Sequence, residues 1–316
     1  MLENFLFSLN AVAPLFLVLL LGYVLKKKNF LSDGFVTTGN KVVFYIALPA
    51  SIFLNVYSAE LGDLLDWGFV AFAVGASLIA FFAIWLISAL FIKDKPILGA
   101  FAQGAFRGNF AFLGMPLLIN LAGEAGEARA ALIMAFVLPV YNICTVLILA
   151  ACSDSGKKVG FKTIILTIVK NPFIIAIVLA FGLQLLNIRL PFAINHTVRY
   201  GANMATALAL ICLGAGMTFQ GFDAKFKYAL VSSLIKVLVL PILFVVAGYM
   251  MGFRGYDIAA FLILGGIPSA IAGYAMVVQM GGDGYIAGTI VVISTLFSAF
   301  TLTIFIYILR TLGMLG

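Results

Sequence analysis

The sequence predicts an all-α polytopic membrane protein, with ten transmembrane helices arranged as two inverted five-helix repeats and with helix breakers in the fourth and ninth. Three observations carry this. Of the 316 residues, 64% are hydrophobic and only 10% are charged, where soluble domains run about 45–50% apolar and about 25% charged. Ten apolar runs each reach the roughly 20 residues that a helix needs to cross about 30 Å of hydrocarbon. The order of those runs repeats after about 158 residues, the signature of a duplicated chain.

Composition also excludes function classes. The 19 Lys and Arg and 12 Asp and Glu cannot coat a soluble globule of 33.8 kDa. Cys144, Cys152 and Cys212 lie in or beside apolar runs with no CxxC pair, which excludes a disulfide framework or a cysteine metal site. A single histidine, His196, rules out an HExxH protease, and no phosphate-cradling GxxxxGK(S/T) loop is present. No cofactor, catalytic residue or metal ligand set is expected, and the protein is not read as an enzyme. The net charge of +7 is placed in short gaps between apolar runs, so it reads as membrane orientation and not as a nucleic-acid partner.

The runs are Phe5 to Leu25, Phe35 to Val56, Trp67 to Phe91, Ile97 to Leu121 and Ala130 to Ala151, then Pro172 to Leu190, Gly201 to Phe219, Tyr228 to Gly252, Asp257 to Met280 and Tyr285 to Leu312. They lack the period-two alternation of a membrane barrel. The first is a helix and not a secretion signal, because Glu3 precedes it and Lys26, Lys27 and Lys28 follow it, the reverse of a signal peptide. The sixth follows an interfacial lead-in, 160–170, stopped by Asn171-Pro172. With the N-terminus outside, eleven loop Lys fall on the cytoplasmic side and five Arg on the other. The positive-inside rule then places both termini outside a cytoplasmic (inner) membrane. An odd number of spans per half makes a duplicated second half, 153–316, enter from the opposite face to the first, 1–152. That inverted repeat is typical of secondary transporters.

Unwound backbone in lipid costs several kcal/mol per unpaired group and persists where it lines a polar cavity. The fourth span carries Arg107-Gly108-Asn109 and then Gly114-Met115-Pro116; the ninth carries Gly265-Gly266-Ile267-Pro268-Ser269 and then Gly273-Tyr274. Breakers in corresponding helices of two halves point to a transporter's central site. Pro49, Pro139 and Pro241 read as ordinary kinks. Arg107 lies at mid-span, where a charge costs at least about 2.5–3.5 kcal/mol, and its fork suits a carboxylate; the alternative is snorkelling to the interface. Lys236, closer to a span end, and Lys41 are expected to snorkel, and His196 to lie in a solvated loop. No Asp or Glu lies in the middle of a span, which argues against proton or sodium coupling through carboxylates.

The tract Phe106-Arg107-Gly108-Asn109-Phe110-Ala111-Phe112-Leu113-Gly114-Met115-Pro116-Leu117 resembles the signature of the auxin efflux carrier family. Ala47-Leu48-Pro49-Ala50, Lys170-Asn171-Pro172 and Ile267-Pro268-Ser269-Ala270 match it as well. The short connection Cys152 to Lys162 is similar to the bacterial form, related to plant PIN transporters and to malate and malonate permeases. The resemblance implies a scaffold of helices 1, 2, 6 and 7, a moving domain of helices 3–5 and 8–10, and a homodimer. It also implies a substrate site at the crossing of the broken helices 4 and 9, to which Asn109, Pro116 and Gly273 carry over; Arg107, Gly114, Pro268, Ser269 and Tyr274 beside them complete the candidates. Plant members have a second proline where this chain has Gly273. The expected function is secondary transport of small organic anions, carboxylates or auxin-like indole acids, by an elevator mechanism; the alternative is an anion channel.

Overall fold

The computed structural model describes residues 14, 17–58, 65–152, 169–170, 172–186, 188–216 and 225–315. Helices account for nearly all of them. Residues 17–27 form α1. Then come α2 (Asp33–Val42), α3 (Leu48–Tyr57), α4 (Trp67–Phe91), α5 (Lys95–Phe106), α6 (Met115–Leu132) and α7 (Leu138–Ala151). The second half holds α8 (Pro172–Leu185), α9 (Phe192–Gly216), α10 (Phe226–Leu234), α11 (Leu240–Met250), α12 (Tyr256–Gly266), α13 (Ile271–Gln279) and α14 (Gly284–Thr311). Among the described residues six helices are long and apolar enough to cross a membrane, and α8 and α12 are shorter apolar helices. About half of the first expected span, and all of residues 153–168, lie outside the described residues.

Three pairs of these helices, α2–α3, α6–α7 and α10–α11, are single rods joined through a π turn, and a fourth π turn opens α6. The turns are Val43–Ala47, Phe110–Gly114, Ile133–Val137 and Ile235–Val239, and each ends two residues before a proline: Pro49, Pro116, Pro139 or Pro241. Proline has no N–H and its ring clashes with the carbonyl four residues back. Here the residue before it donates five residues back instead, as Met115 does to Phe110 and Leu240 to Ile235. The widened turn gives the ring room while the rod continues. The expected kinks are these π turns, and Pro116 is one of them.

Helix starts are set by side-chain caps. Ser32, Asp66, Asp94 and Asp283 each accept from the backbone N–H three residues on, which satisfies one of the orphan donors at a helix start. The Asp66 carboxyl is held below its ordinary value, first by the Phe69 N–H and further by the Arg129 guanidinium.

The span limits agree with expectation for α4, residue for residue. Elsewhere they shift. The gap expected between the fourth and fifth spans is helical, and only Gly123 (φ 55°, ψ −136°) departs from helical geometry within Met115–Leu132. Arg129 is therefore a helix residue, and it bonds both Asp66 and Asp257 at 3.1 and 2.6 Å. The seventh span begins at Phe192, not Gly201, so His196 sits on a helix with its ring against Phe192 and not in a loop.

Two sets of helices pack among themselves. α2 and α3 pack on α8 and α9, and Tyr57 bonds the backbone at Ile188 and Leu190. α1 meets α9 backbone to backbone: a Cβ at Gly22 would strike the Ile211 carbonyl, and one at Gly214 the Leu19 carbonyl. The other set is α4 to α7 with α10 to α14, filled by a phenylalanine cluster that includes Phe69, Phe72, Phe253 and Phe261. The sets meet mainly where α13 lies against α9 and α2, and where α7 lies against α8.

Candidate functional site

The helices α5 and α12 both stop in the interior of the bundle. After Phe106 the chain extends through Arg107 (ψ 112°) and Asn109 (ψ 57°); after Gly266 it extends from Ile267 (ψ 149°) to Ala270 (ψ 128°). Local chemistry explains both interruptions. Gly108 costs about 1 kcal/mol in a helix, and the residue before Pro268 is steered out of the α region. The two extended pieces pair as a short antiparallel bridge between Gly108 and Ser269. The Asn109 N–H donates to the Pro268 carbonyl at 2.8 Å, and the Ala270 N–H to the Arg107 carbonyl at 3.1 Å. Each break thus satisfies the other's backbone, as burial in a membrane bundle requires. Gly108 is needed for the close approach, since a Cβ there would lie 2.6 Å from the Ile267 side chain.

Two basic side chains flank this bridge. Arg107, 6% exposed, donates to Asn142 Oδ1 at 2.7 Å, to Thr145 Oγ1 at 3.4 Å and to the Met276 sulfur. The Asn142 amide is itself oriented by its bond to the Leu138 carbonyl. Lys236, at the middle of the α10–α11 rod, is fully buried. Its Nζ donates to the carbonyls of Leu264 and Gly265 at 3.2 and 2.6 Å. No carboxylate pairs with either side chain among the described residues. Every ion pair described there lies toward the helix ends: Lys26–Asp33, Arg129 with Asp66 and Asp257, and Lys225–Asp283.

Neutral donors complete the site. The Asn109 side chain, 6% exposed, makes no hydrogen bond among the described residues. The Gln103 Nε2 is buried without a partner and lies against Gly273, where a Cβ would collide with it. The structure therefore brings together Arg107, Asn109, Pro268 and Ser269, with Ser269 N–H bonded to Ser294 Oγ at 3.0 Å. Gly273 and Tyr274 lie in the first turns of α13, and Tyr274 reaches toward Asn40 and Gly216 at the contact with the other helix set. Gly114 and Pro116 are set apart. Gly114 closes a π turn under the Phe110 ring, and Pro116 is exposed. The expectation that the chain unwinds at Pro116 and Gly273 is corrected: the breaks are 107–109 and 267–270, because the π turn absorbs Pro116 and Gly273 is helical.

Lys236, expected to snorkel, and Gln103, which no motif marks, also lie beside the crossover. With the helix starting at Phe226 instead of Tyr228, Lys236 is too deep to snorkel, and its position in the rod was the available signal.

A family model described as "Membrane transport protein" matches residues 7–306. The chain belongs to this membrane transport protein family. An "Uncharacterized transporter" of Methanothermobacter thermautotrophicus is 23% identical over 96% of this chain and 99% of its own. A "Putative malonate transporter" of Rhizobium meliloti is 24% identical over 95% of each. The "Uncharacterized transporter YfdV" of Escherichia coli K12 is 22% identical over 84% of this chain and 86% of its own. Membership agrees with the transporter resemblance carried by Asn109 through Pro116.

Proposed function

We propose that this protein is a secondary transporter of small organic anions, carboxylates such as malonate or malate or auxin-like indole acids. It works by alternating access in the cytoplasmic membrane. One observation carries the reading: two buried basic side chains, the Arg107 guanidinium and Lys236, border the crossover with no carboxylate partner among the described residues. A buried charge left unpaired is costly, and an anionic cargo supplies what the protein does not. The start of α13 adds helix N–H donors and partial positive charge, and the unpartnered amides of Asn109 and Gln103 add neutral ones.

An inverted-repeat elevator is supported by the element lengths. Asp33–Tyr57 and Phe192–Gly216 are both 25-residue rods, and so are Trp67–Phe91 and Phe226–Met250. The second of each pair begins 159 residues after the first (33 to 192, 67 to 226). The scaffold of this reading corresponds to the α1, α2, α3, α8 and α9 set, and the moving domain to the other. Exposed Leu17, Leu20, Ile175 and Val178 on the scaffold set suit a homodimer contact or lipid. Both termini are placed outside.

The test is counterflow in liposomes containing the purified protein. Internal malonate should accelerate uptake of labelled malonate, and Arg107→Ala should abolish the acceleration. Flux that neither saturates nor shows counterflow would favour the anion channel. Inactivity toward malonate, malate and indole acids alike would remove the organic-anion assignment.

A further inference from the structure

The buried lysine has a donor geometry that the anion alone does not explain. Pro268 has no N–H, so the Leu264 carbonyl loses its helical partner, and the Ser269 N–H turns to Ser294 Oγ, so the Gly265 carbonyl loses its own. Lys236 Nζ takes both orphaned carbonyls. Its remaining side faces Gly108, where a built Cβ would stand 3.2 Å from Nζ, and no further acceptor bonds it among the described residues. An ammonium carries three N–H donors; a neutral amine carries two and a lone pair. Two carbonyls take two of these positions, and the third, an N–H in the ammonium or the lone pair in the amine, is left vacant. The vacant direction points at the bridge residue between Arg107 and Asn109.

We propose that Lys236 is a proton site coupled to the anion, so that the transporter carries a dicarboxylate and a proton together. In the empty carrier the amine holds two N–H bonds and a lone pair. When a dicarboxylate binds at the crossover, a hydronium or buffer acid on the open side gives its proton to the lone pair of Nζ: one N–H bond forms, the donor's bond to that proton breaks, and the conjugate base stays in the bulk. Arg107 balances one carboxylate and the new ammonium the second, so the loaded bundle is neutral and the empty one carries the single charge of Arg107. On release the proton leaves with the anion. Proton coupling here needs no mid-span carboxylate, which this chain lacks.

The charged and titratable groups on the elements packed against Lys236 leave it no rival. Arg107 ends α5 at the crossover. Lys95, Lys227, Tyr228 and Tyr285 lie at one end of those helices, and Tyr249, Tyr256, Asp257, Tyr307 and Arg310 toward the other. Asp257 is engaged by Arg129.

The proposal rests on the organic-anion reading, and its test separates the two. Malonate is titrated into the purified full-length protein in weakly buffered detergent solution near pH 8, where malonate is a dianion, with an indicator dye reporting protons. The expected uptake is about one proton per malonate bound, with affinity falling up to tenfold per pH unit above neutrality. A bound monocarboxylate should take up far less. Lys236→Arg keeps the charge permanently and should bind malonate without proton uptake; Lys236→Met should bind malonate weakly and also without uptake. Malonate binding with no proton exchange in the wild type, or undiminished uptake in Lys236→Arg, overturns the coupling and leaves the anion carrier standing. If malonate, succinate and indole acetate all fail to bind, the anion reading falls and the coupling falls with it. Should Lys236→Met not fold, the wild type and Lys236→Arg still decide.

Discussion

Arg107 is restrained by three side chains from two helices, so its guanidinium is positioned before any cargo arrives. Preorganisation of this kind favours binding because little side-chain freedom is lost on contact. Arg107→Ala should therefore weaken dicarboxylate binding by more than tenfold, more than about 1.4 kcal/mol, and monocarboxylate binding by less. Calorimetry with both ligand classes checks this; equal losses would place the guanidinium away from the second carboxylate. Asn109→Ala removes an amide with no protein partner among the described residues, so the melting temperature should stay within a few degrees while affinity drops roughly tenfold. A large fall in melting temperature at unchanged affinity would show a structural asparagine. The convergence of Arg107, Asn109, Pro268 and Ser269 is legible in the sequence, because breakers and motif mark both interrupted helices. Lys236 and Gln103 are not, because a residue's depth in a rod depends on where the rod begins, and an unpartnered amide is visible only once its neighbours are placed.

At the scale of the element, prolines divide by what precedes them. Pro116 follows a π turn that keeps its rod continuous, whereas Pro268 follows Gly266-Ile267 and ends its helix. Pro116→Ala should change malonate affinity by less than about threefold. Pro268→Ala restores an N–H that can bond the Leu264 carbonyl, rewinding the turn and displacing Lys236, and should cost at least tenfold. Similar losses for both would contradict the division. The capped helix starts give a pH signature. Because the Asp66 carboxyl is lowered in the folded protein, its contribution is complete above its ordinary value near 3.8 and is lost as pH falls through the lower folded value. The melting temperature of Asp66→Ala should lie below wild type at neutral pH, and the gap should narrow below about pH 4; a gap independent of pH would point to packing alone. The long apolar runs were readable to the residue at Trp67–Phe91. Phe192 was not, since Asn195, His196, Thr197 and Arg199 read as a loop while exposed faces of a helix tolerate them equally. Nor was the helical stretch through Arg129, whose two carboxylate partners come from distant parts of the chain.

For the molecule as a whole, the lysine distribution predicts both termini outside. A cysteine added at the C-terminus should react with an impermeant maleimide in intact cells or spheroplasts, and protection until lysis would sink the assignment and the ten-span count with it. The bridge between Gly108 and Ser269 joins strands 161 residues apart in the chain. During synthesis at about 5–20 residues per second, the first strand emerges roughly 8 to 32 seconds before its partner exists. For that interval its amide and carbonyl groups have no mate in the nascent chain, so the early half must wait at the insertion machinery or beside another protein that shields it. A chain stopped near residue 152 should accordingly be degraded when made alone and survive when the remainder is made beside it in the same cell.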